Sequence, residues 1–219
     1  MTREEMSRYI DSTLLRPDAT AKDIVSLCQE AVRYQFYAVC VNPSRVELAA
    51  RCLQGEAVKL CTVVGFPLGA EMTLVKVKQI DVAMRAGAVE VDAVMNIGLF
   101  KDKEYRAVEE EIDILSRTVH ERGGLLKIIV ETGYLEPEEI EIAARLVAAG
   151  GADFIKTCTG FGPRGVSPDD IAIMRKSAPP SLKIKASGGI KTYQQALELI
   201  KLGADRIGTS QAAAIVTCG

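Results

Sequence analysis

Short apolar runs alternate with longer amphipathic stretches along all 219 residues, and this alternation predicts an α/β protein. Eight of the runs recur at the spacing of a strand–helix unit, and no Pro/Ser-rich linker, charge block or low-complexity segment separates them. Eight such units in a chain of this length fit a closed barrel better than an open sheet. The sequence therefore predicts a single-domain (β/α)8 TIM barrel over residues 1–219.

The apolar runs give the predicted strands. In chain order they are Ile10–Leu14, Ala38–Val41, Lys59–Gly65, Val89–Asn96, Leu125–Glu131, Asp153–Thr157, Leu182–Ser187 and Asp205–Gly208.

The stretches between these runs have the periodicity of amphipathic helices. The clearest are Thr20–Tyr34, Glu71–Ala86, Lys103–Arg122, Pro137–Ala149 and Thr192–Leu202. Capping-box patterns that start at Thr20, Ser167 and Thr192 predict helix N-termini, and Gly-Ala pairs close several helices.

Composition excludes several classes of function. A net charge of −2 gives no reason to expect nucleic acid or an anionic membrane as a partner. The longest uncharged stretch, Ile207–Gly219, is too short to span a bilayer, and no secretory signal is visible at the N-terminus. The six cysteines lack the spacing of a zinc site and are interpreted as buried free thiols, so we expect a cytoplasmic protein.

Two further observations limit the chemistry. The single histidine, His120, lies in a polar helical stretch, which leaves no Ser-His, Cys-His or multi-histidine metal chemistry. The run from Gly160 to Gly165 matches GxGxxG, but Pro163 interrupts the turn and no acidic residue follows at the distance that a ribose contact requires. We therefore expect neither a nicotinamide cofactor nor a catalytic metal.

The alternation of side chains along each strand places several charges inside the predicted barrel. Val91 and Ala93 share the face that packs on helices, so Asp92 points inward together with Glu90. The same parity sends Lys127 inward, with Glu131 on the same face. Lys156 and Lys185 follow from strands six and seven, where Ile155 and Ile184 face the helices. A barrel interior with this many charges indicates a functional site, although a structural ion-pair network is the alternative.

Two neighbouring lysines suggest how one amine becomes a nucleophile. A second ammonium about 4 Å away, at an effective dielectric constant of about 20, costs about 4 kcal/mol and lowers a pKa by about three. We therefore expect repulsion between Lys156 and Lys185 to bring one of them near neutrality. A neutral lysine attacks a carbonyl to form a Schiff base, which withdraws electrons from an adjacent carbon–carbon bond. Asp92 would move the proton that cleavage of this bond requires.

Glycines after the last two strands indicate an anion site. Gly188-Gly189 follows strand seven, and Gly208-Thr209-Ser210 follows strand eight at the start of the last helix. In a (β/α)8 barrel these loops commonly bind phosphate through backbone N–H groups and a helix N-terminus. The sequence therefore predicts a phosphorylated small molecule as the ligand.

Seven segments of the chain resemble the deoxyribose-phosphate aldolase family, in register from residue 10 to about residue 210. They are Ile10–Leu14, Cys40–Pro43, Val63–Gly69, Lys127–Gly133, Phe154–Phe161, Lys185–Ile190 and Arg206–Ser210. The resemblance implies a metal-free class I aldolase that reversibly cleaves 2-deoxy-D-ribose 5-phosphate to D-glyceraldehyde 3-phosphate and acetaldehyde. It also implies a homo-oligomer, either a dimer or a tetramer.

The resemblance also implies roles for individual residues. Lys156 would form the Schiff base, and Asp92 and Lys185 would relay protons. Binding of substrate and phosphate is implied for Gly160, Gly188, Gly189, Gly208 and Ser210, with Cys40 lining the pocket, while Asp11, Thr13 and Lys127 would support the site.

The chain departs from the family pattern at a few positions, and other functions remain open. Ser12 stands where many members have His, Cys158 replaces a more usual Ser, and Gln211-Ala212 replaces Ser-Gly beside the phosphate loop. The alternatives are another Schiff-base phosphosugar aldolase or transaldolase, an isomerase or epimerase barrel, and a non-catalytic phosphosugar-binding barrel.

Overall fold

The computed structural model describes residues 1–217, so the predicted thiol of Cys218 lies outside the described residues. Strands and helices alternate along these residues. The strands are β1 (Ile10–Leu14), β2 (Ala38–Val41), β3 (Lys59–Val64), β4 (Glu90–Val94), β5 (Leu125–Ile129), β6 (Phe154–Lys156), β7 (Lys183–Ser187) and β8 (Arg206–Thr209). The helices are α1 (Arg3–Ser7), α2 (Ala21–Tyr34), α3 (Val46–Cys52), α4 (Thr73–Arg85), α5 (Ile97–Lys101), α6 (Tyr105–His120), α7 (Pro137–Ala149), α8 (Pro168–Ser177), α9 (Tyr193–Lys201) and α10 (Ala212–Thr217).

The eight strands form one closed parallel barrel in chain order, β1 to β8, and β8 pairs with β1. The predicted (β/α)8 TIM barrel is therefore confirmed. Register places charged residues of neighbouring strands side by side: Asp92 is paired with Lys127, and Lys156 with Lys185. Because all strands run in the same direction, their C-terminal ends meet at one mouth of the barrel.

Local sequence explains where the helices begin. The Thr20, Ser167 and Thr192 hydroxyls each accept a hydrogen bond from the backbone N–H three residues on, and a side chain returns the bond in each capping box. Each box satisfies backbone donors that have no partner within the helix.

Two strands, β4 and β5, end two residues earlier than the sequence predicts, and in both cases a polar residue has a different local role. Asn96 was expected to end β4, but its side chain accepts a hydrogen bond from Leu99 N at 3.1 Å and caps α5. Glu131 was expected to end β5, but its backbone has φ +52° and ψ +69°, which lies in the left-handed region and ends the extended conformation.

The core has two layers. The outer layer lies between barrel and helices and takes the outward-facing strand residues, among them Val91, Ile128, Ile155 and Ile184, all fully buried. The interior contains a small apolar cluster of Leu15, Cys40, Cys61 and Val63 together with several buried charged side chains. None of the helices in the described residues is both long and apolar enough to cross a membrane.

Candidate active site

A carboxylate that three lysines share forms the centre of the barrel interior. Asp92 on β4 is fully buried, and its Oδ2 atom accepts hydrogen bonds from Lys156 Nζ at 2.7 Å and Lys185 Nζ at 2.8 Å. Its Oδ1 atom accepts from Lys127 Nζ at 2.9 Å and from the Cys61 thiol at 3.1 Å. All three predicted lysines and the predicted aspartate therefore meet at one point.

Three further charged residues lie next to this centre and form ion pairs with its lysines and with one another. Asp11 on β1 pairs with Lys185, and also with Arg206 Nη1 at 2.9 Å. Glu90 on β4 pairs with Lys127 Nζ at 2.6 Å and with Arg206 at 3.4 Å. The guanidinium of Arg206 also lies 3.4 Å from the centre of the Tyr37 ring. These contacts hold the lysine stems and leave little freedom to the amines.

Opposite charges in this cluster keep its carboxylates ionised although they are buried. Burial alone would raise the pKa of Asp92, but the three lysines outweigh it and hold the pKa well below its usual value. The pKa of Asp11 falls to about 2 because Lys185, Arg206 and Lys127 likewise overcome the effect of burial. Both carboxylates are therefore ionised at neutral pH.

For Lys185, the same contacts do not support the prediction that repulsion between Lys156 and Lys185 makes one of the two amines neutral. Burial and the nearby Lys127 lower the pKa of Lys185, but Asp11 and Asp92 overcome both effects and raise it above its usual value. Lys127 behaves in the same way, and its pKa is raised by Asp92, Cys61 and Glu90. Repulsion between neighbouring lysines therefore does not neutralise Lys185, because Asp92 lies between the two amines and Asp11 also pairs with Lys185.

The cations of the cluster differ in the number of carboxylates that they contact. The cluster contains four cations and three carboxylates among the described residues: Lys127, Lys156, Lys185 and Arg206 against Asp11, Glu90 and Asp92. Three of the cations each contact two carboxylates. Lys156 contacts only Asp92, on an oxygen that it shares with Lys185. Lys156 is therefore the cation with the fewest carboxylate partners.

Lys156 is also the amine that reaches the open end of the barrel. A pocket of about 360 Å³ lies at the C-terminal ends of the strands, and Lys156 lines it. Asp92 and Lys185 lie beneath Lys156 and do not line the pocket. A bound carbonyl compound would meet Lys156 first, with Asp92 one hydrogen bond away and Lys185 on the same carboxylate oxygen.

The wall of the pocket contains the predicted glycine loops. Gly160 after β6, Gly188 and Gly189 after β7, and Gly208 and Ser210 around the end of β8 all line the pocket. Gly160, Gly188 and Gly189 have φ values of +88°, +96° and +79°, a conformation that favours glycine. In the part of the chain that the structure describes, the backbone N–H groups of Gly160, Gly189 and Ser210 donate no hydrogen bond. These donors form a cradle suited to an anion.

Thr13, a predicted supporting residue, and Cys40, a predicted pocket residue, occupy different places. Thr13 lines the pocket, and its hydroxyl donates to its own strand at Asp11 O, 2.9 Å away. Cys40 was expected to line the pocket as well, but it is fully buried and is absent from the wall. The apolar cluster with Leu15 and Cys61, against which Phe66 packs, covers it.

The same region contains the only group of possible metal ligands in residues 1–217. One ligand atom each from Cys40, Cys61 and Asp92 lies within 4.8 Å of the others. Lys127 Nζ lies 3.5 Å from the Cys61 sulfur and also binds Asp92. A divalent cation would be repelled there by the lysines, so the group does not fit a metal.

The sequence did not predict the contacts of three buried polar residues in this region. Arg206 lies in a segment that resembles the family, but its charge was not expected in the interior. Cys61 gave no signal beyond strand parity, which places it on the same face as Val63. Glu131 was placed inside the barrel without a partner. It is buried and accepts hydrogen bonds from Thr159.

An open pocket above buried lysines and carboxylates, at the C-terminal mouth of a (β/α)8 barrel, defines a barrel enzyme for a small anionic carbonyl compound. The comparisons give the family. A family model described as "DeoC/LacD family aldolase" matches residues 6–214, and this chain belongs to that family of aldolases.

Curated relatives and solved structures agree with this assignment. A deoxyribose-phosphate aldolase of Thermococcus kodakarensis is 50% identical over 218 residues, which is 99% of this chain and 97% of the relative. One of Treponema denticola is 46% identical over 97% of this chain and 99% of the relative. A solved structure described as "QR15, an Aldolase" superposes with a TM-score of 0.93 at 42% identity, over 97% of this chain and 94% of that one. A tetrameric deoxyribose phosphate aldolase from Aeropyrum pernix has a TM-score of 0.93 at 32% identity, over 98% and 91% of the two chains.

Proposed function

We propose that this chain is a class I aldolase that reversibly cleaves 2-deoxy-D-ribose 5-phosphate to D-glyceraldehyde 3-phosphate and acetaldehyde, in the catabolism of deoxyribose phosphate. The observation that carries the proposal is the position of Lys156. Its amine lies at the floor of the pocket and shares a carboxylate oxygen with a second lysine, and glycine loops with free N–H groups form the wall above. The names of the full-length relatives support the substrate.

Covalent catalysis begins at Lys156. Its free amine attacks the C1 aldehyde of the open-chain sugar, and loss of water gives a Schiff base. Lys156 has the fewest carboxylate partners of the four cations in the buried cluster, and it lines the pocket, which suits it to be the attacking amine.

Asp92 and Lys185 are placed to move the protons of the cleavage step. A base removes the proton of the C3 hydroxyl, the C2–C3 bond breaks, and its electrons enter the Schiff base to give an enamine. D-Glyceraldehyde 3-phosphate leaves, the enamine is protonated at C2, and water releases acetaldehyde from Lys156. Asp92 Oδ2 lies within hydrogen-bond distance of both amines, so it connects the site of covalent bonding with the proton donor Lys185.

Phosphate binding orients the sugar. The free N–H groups of Gly160, Gly189 and Ser210 lie in the pocket wall, and the cationic side chains of Arg16 and Lys191 also line the pocket. Backbone donors and surrounding cations are the usual means of holding a phosphate. Gln211 lines the same wall where the family more often has Ser, and it retains hydrogen-bonding capacity there.

A coupled assay tests the proposal. The purified chain with 2-deoxyribose 5-phosphate is expected to release equal amounts of D-glyceraldehyde 3-phosphate and acetaldehyde, and Lys156→Ala to release neither. A transaldolase or a different phosphosugar aldolase would not release acetaldehyde. A non-catalytic binding barrel would be indifferent to Lys156→Ala, and an isomerase or epimerase would leave the carbon skeleton intact.

We further propose that the enzyme is a cytoplasmic homo-oligomer. The tetrameric state of the Aeropyrum pernix aldolase supports the oligomer. Exposed apolar residues also support it, namely Leu68 and Met72 in the β3–α4 loop and Leu74 at the start of α4. The free thiols of the described cysteines suit a reducing compartment. Light scattering on the purified protein tests the oligomer, and a monomeric mass at working concentration would contradict it.

A further inference from the structure

A buried carboxylate outside the charged cluster has no role in the chemistry described above. Glu131 is 1% exposed and makes no ion pair within residues 1–217. One of its oxygens, Oε1, is buried without a hydrogen-bond partner. Because burying an unpaired carboxylate is costly, an apolar residue would serve a purely structural purpose better.

The other oxygen of Glu131 binds the loop after β6. Oε2 accepts a hydrogen bond from Thr159 N at 3.0 Å and a second, short one from the Thr159 hydroxyl. The oxygen of this hydroxyl in turn accepts from Phe161 N at 3.0 Å. The carboxylate therefore fixes the residues on both sides of Gly160, whose own N–H stays free at the wall of the pocket.

The surrounding backbone is adapted to this carboxylate. Glu131 itself lies in the left-handed region, at φ +52°, which non-glycine residues rarely adopt. A Cβ atom at Gly162 would lie 2.6 Å from the Glu131 carboxyl carbon, so a larger residue there would displace the carboxylate. Both features bring the carboxylate against the turn of residues 159–161 and away from the pocket itself.

We propose that Glu131 is a positioning residue that holds the Gly160 turn in its phosphate-binding conformation. It acts through Thr159 and touches neither the phosphosugar nor Lys156. This inference depends on the proposed function for the identity of the substrate. The contribution of Glu131 is therefore confined to the phosphate end of the pocket, and the Schiff-base chemistry does not depend on it.

The test compares phosphorylated and unphosphorylated substrate. Glu131→Gln keeps the shape of the side chain, but it loses the charge and places an amide NH₂ where one oxygen stood. We expect KM for 2-deoxyribose 5-phosphate to rise about 10-fold, equivalent to about 1.4 kcal/mol, with kcat within about 2-fold. We expect kcat/KM for unphosphorylated 2-deoxyribose to stay unchanged. Glu138→Gln, at an exposed position in α7, is the matched control and changes neither value.

Calorimetric titration with inorganic phosphate separates this inference from the proposed function. Weaker phosphate binding by Glu131→Gln supports the inference, even if the wild-type chain fails to cleave 2-deoxyribose 5-phosphate. Unchanged phosphate binding by Glu131→Gln overturns the inference, whether or not the wild-type chain is active. If the wild-type chain is active, an equal loss of activity on both sugars in Glu131→Gln overturns it as well.

A second pair of variants keeps the test valid if Glu131→Gln does not fold. Thr159→Val removes the hydroxyl that links Glu131 to Phe161, and Thr159→Ser retains it. We expect the selective rise in KM for the phosphorylated sugar in the Val variant and recovery in the Ser variant. Equal behaviour of the two variants would overturn the proposal.

Discussion

Lys156 and Lys185 donate hydrogen bonds to the same oxygen, Oδ2 of Asp92, at 2.7 and 2.8 Å. Their strands are paired in register, so the two amines reach the carboxylate from neighbouring positions in the barrel wall. Asp11 contacts only Lys185 of this pair. The arrangement distinguishes two lysines that would otherwise be equivalent: Lys185 is held as a cation by two carboxylates, and Lys156 faces the pocket.

Replacing Asp92 tests the proton relay. Asp92→Asn keeps the shape of the side chain but removes the anion shared by three lysines, so proton transfer loses its acceptor. We expect kcat to fall about 100- to 10,000-fold, with KM changed by no more than a few-fold. Steady-state kinetics measures both values. A raised KM with an unchanged kcat would mean that Asp92 only contacts the substrate.

The same substitution carries a cost in stability, which needs a control. Removing one partner from a buried ion pair typically costs about 3–5 kcal/mol, because the other charge is left uncompensated. The melting temperature of Asp92→Asn should therefore be measured with its activity. Asp169→Asn, at an exposed position in α8, is the control and should change neither. Activity should be assayed well below the melting temperature of the variant.

A pair of glycine variants tests the phosphate cradle. Gly160 and Gly123 both have positive φ, at +88° and +69°, and a Cβ added at either position meets no atom within 4 Å. Alanine should therefore destabilise the two positions similarly, by about 1–2 kcal/mol. Only Gly160 lines the pocket, so we expect only Gly160→Ala to raise KM for 2-deoxyribose 5-phosphate, by about 10-fold or more. Equal KM values in the two variants would contradict the assignment of this loop.

The pH dependence of stability tests the buried charge cluster. The pKa of Asp11 is lowered from 3.8 to about 2, so its contribution is present above the unfolded value and is lost as pH falls from about 4 to about 2. This contribution is about 2 kcal/mol at neutral pH, from 1.36 kcal/mol for each unit of pKa. Asp11→Asn should therefore show a flatter fall in unfolding free energy across this range. Denaturant titrations at pH 4 and pH 2 measure it, and equal slopes for wild type and variant would contradict the assignment.

Alkaline pH should also weaken the cluster, because it removes the proton from a paired lysine. The pKa of Lys185 is raised in the folded chain, so its stabilising effect is complete below the unfolded value of about 10.4 and is lost only as pH rises through the folded value. The cluster therefore supports stability across the range between the acid and alkaline limits.

The alternation of apolar runs with amphipathic stretches was sufficient to predict the barrel. The alternation of side chains along each strand predicted most of its interior charges. The interior contains Asp92, Lys127, Lys156 and Lys185. Their neighbours along each strand, such as Ile155 and Ile184, are apolar and pack on the helices, which turns the charged residues inward. Glycine loops at the ends of β7 and β8 were equally readable, since their position relative to the strands is fixed by the fold.

The sequence did not predict which charged side chains form ion pairs with one another inside the barrel. Asp11 and Arg206 are 195 residues apart and make contact only because β8 closes on β1. The sequence therefore predicted repulsion between Lys156 and Lys185, but it did not show that Asp92 binds both amines or that Asp11 pairs with Lys185. Lys76 is similar: it lies in an amphipathic helix but is fully buried, and its amine binds Glu111 at 2.7 Å. Sequence periodicity places such a residue on a face but does not give its partner.

Borohydride trapping at Lys156 is the most direct test of the account. The wild-type chain is incubated with 2-deoxyribose 5-phosphate, reduced with sodium borohydride, digested and mapped by mass spectrometry. Reduction of the Schiff base should leave one covalent adduct on the peptide containing Lys156, and Lys156→Ala should give none. An adduct confined to Lys185, or no adduct in wild-type protein that cleaves the substrate, would contradict the mechanism.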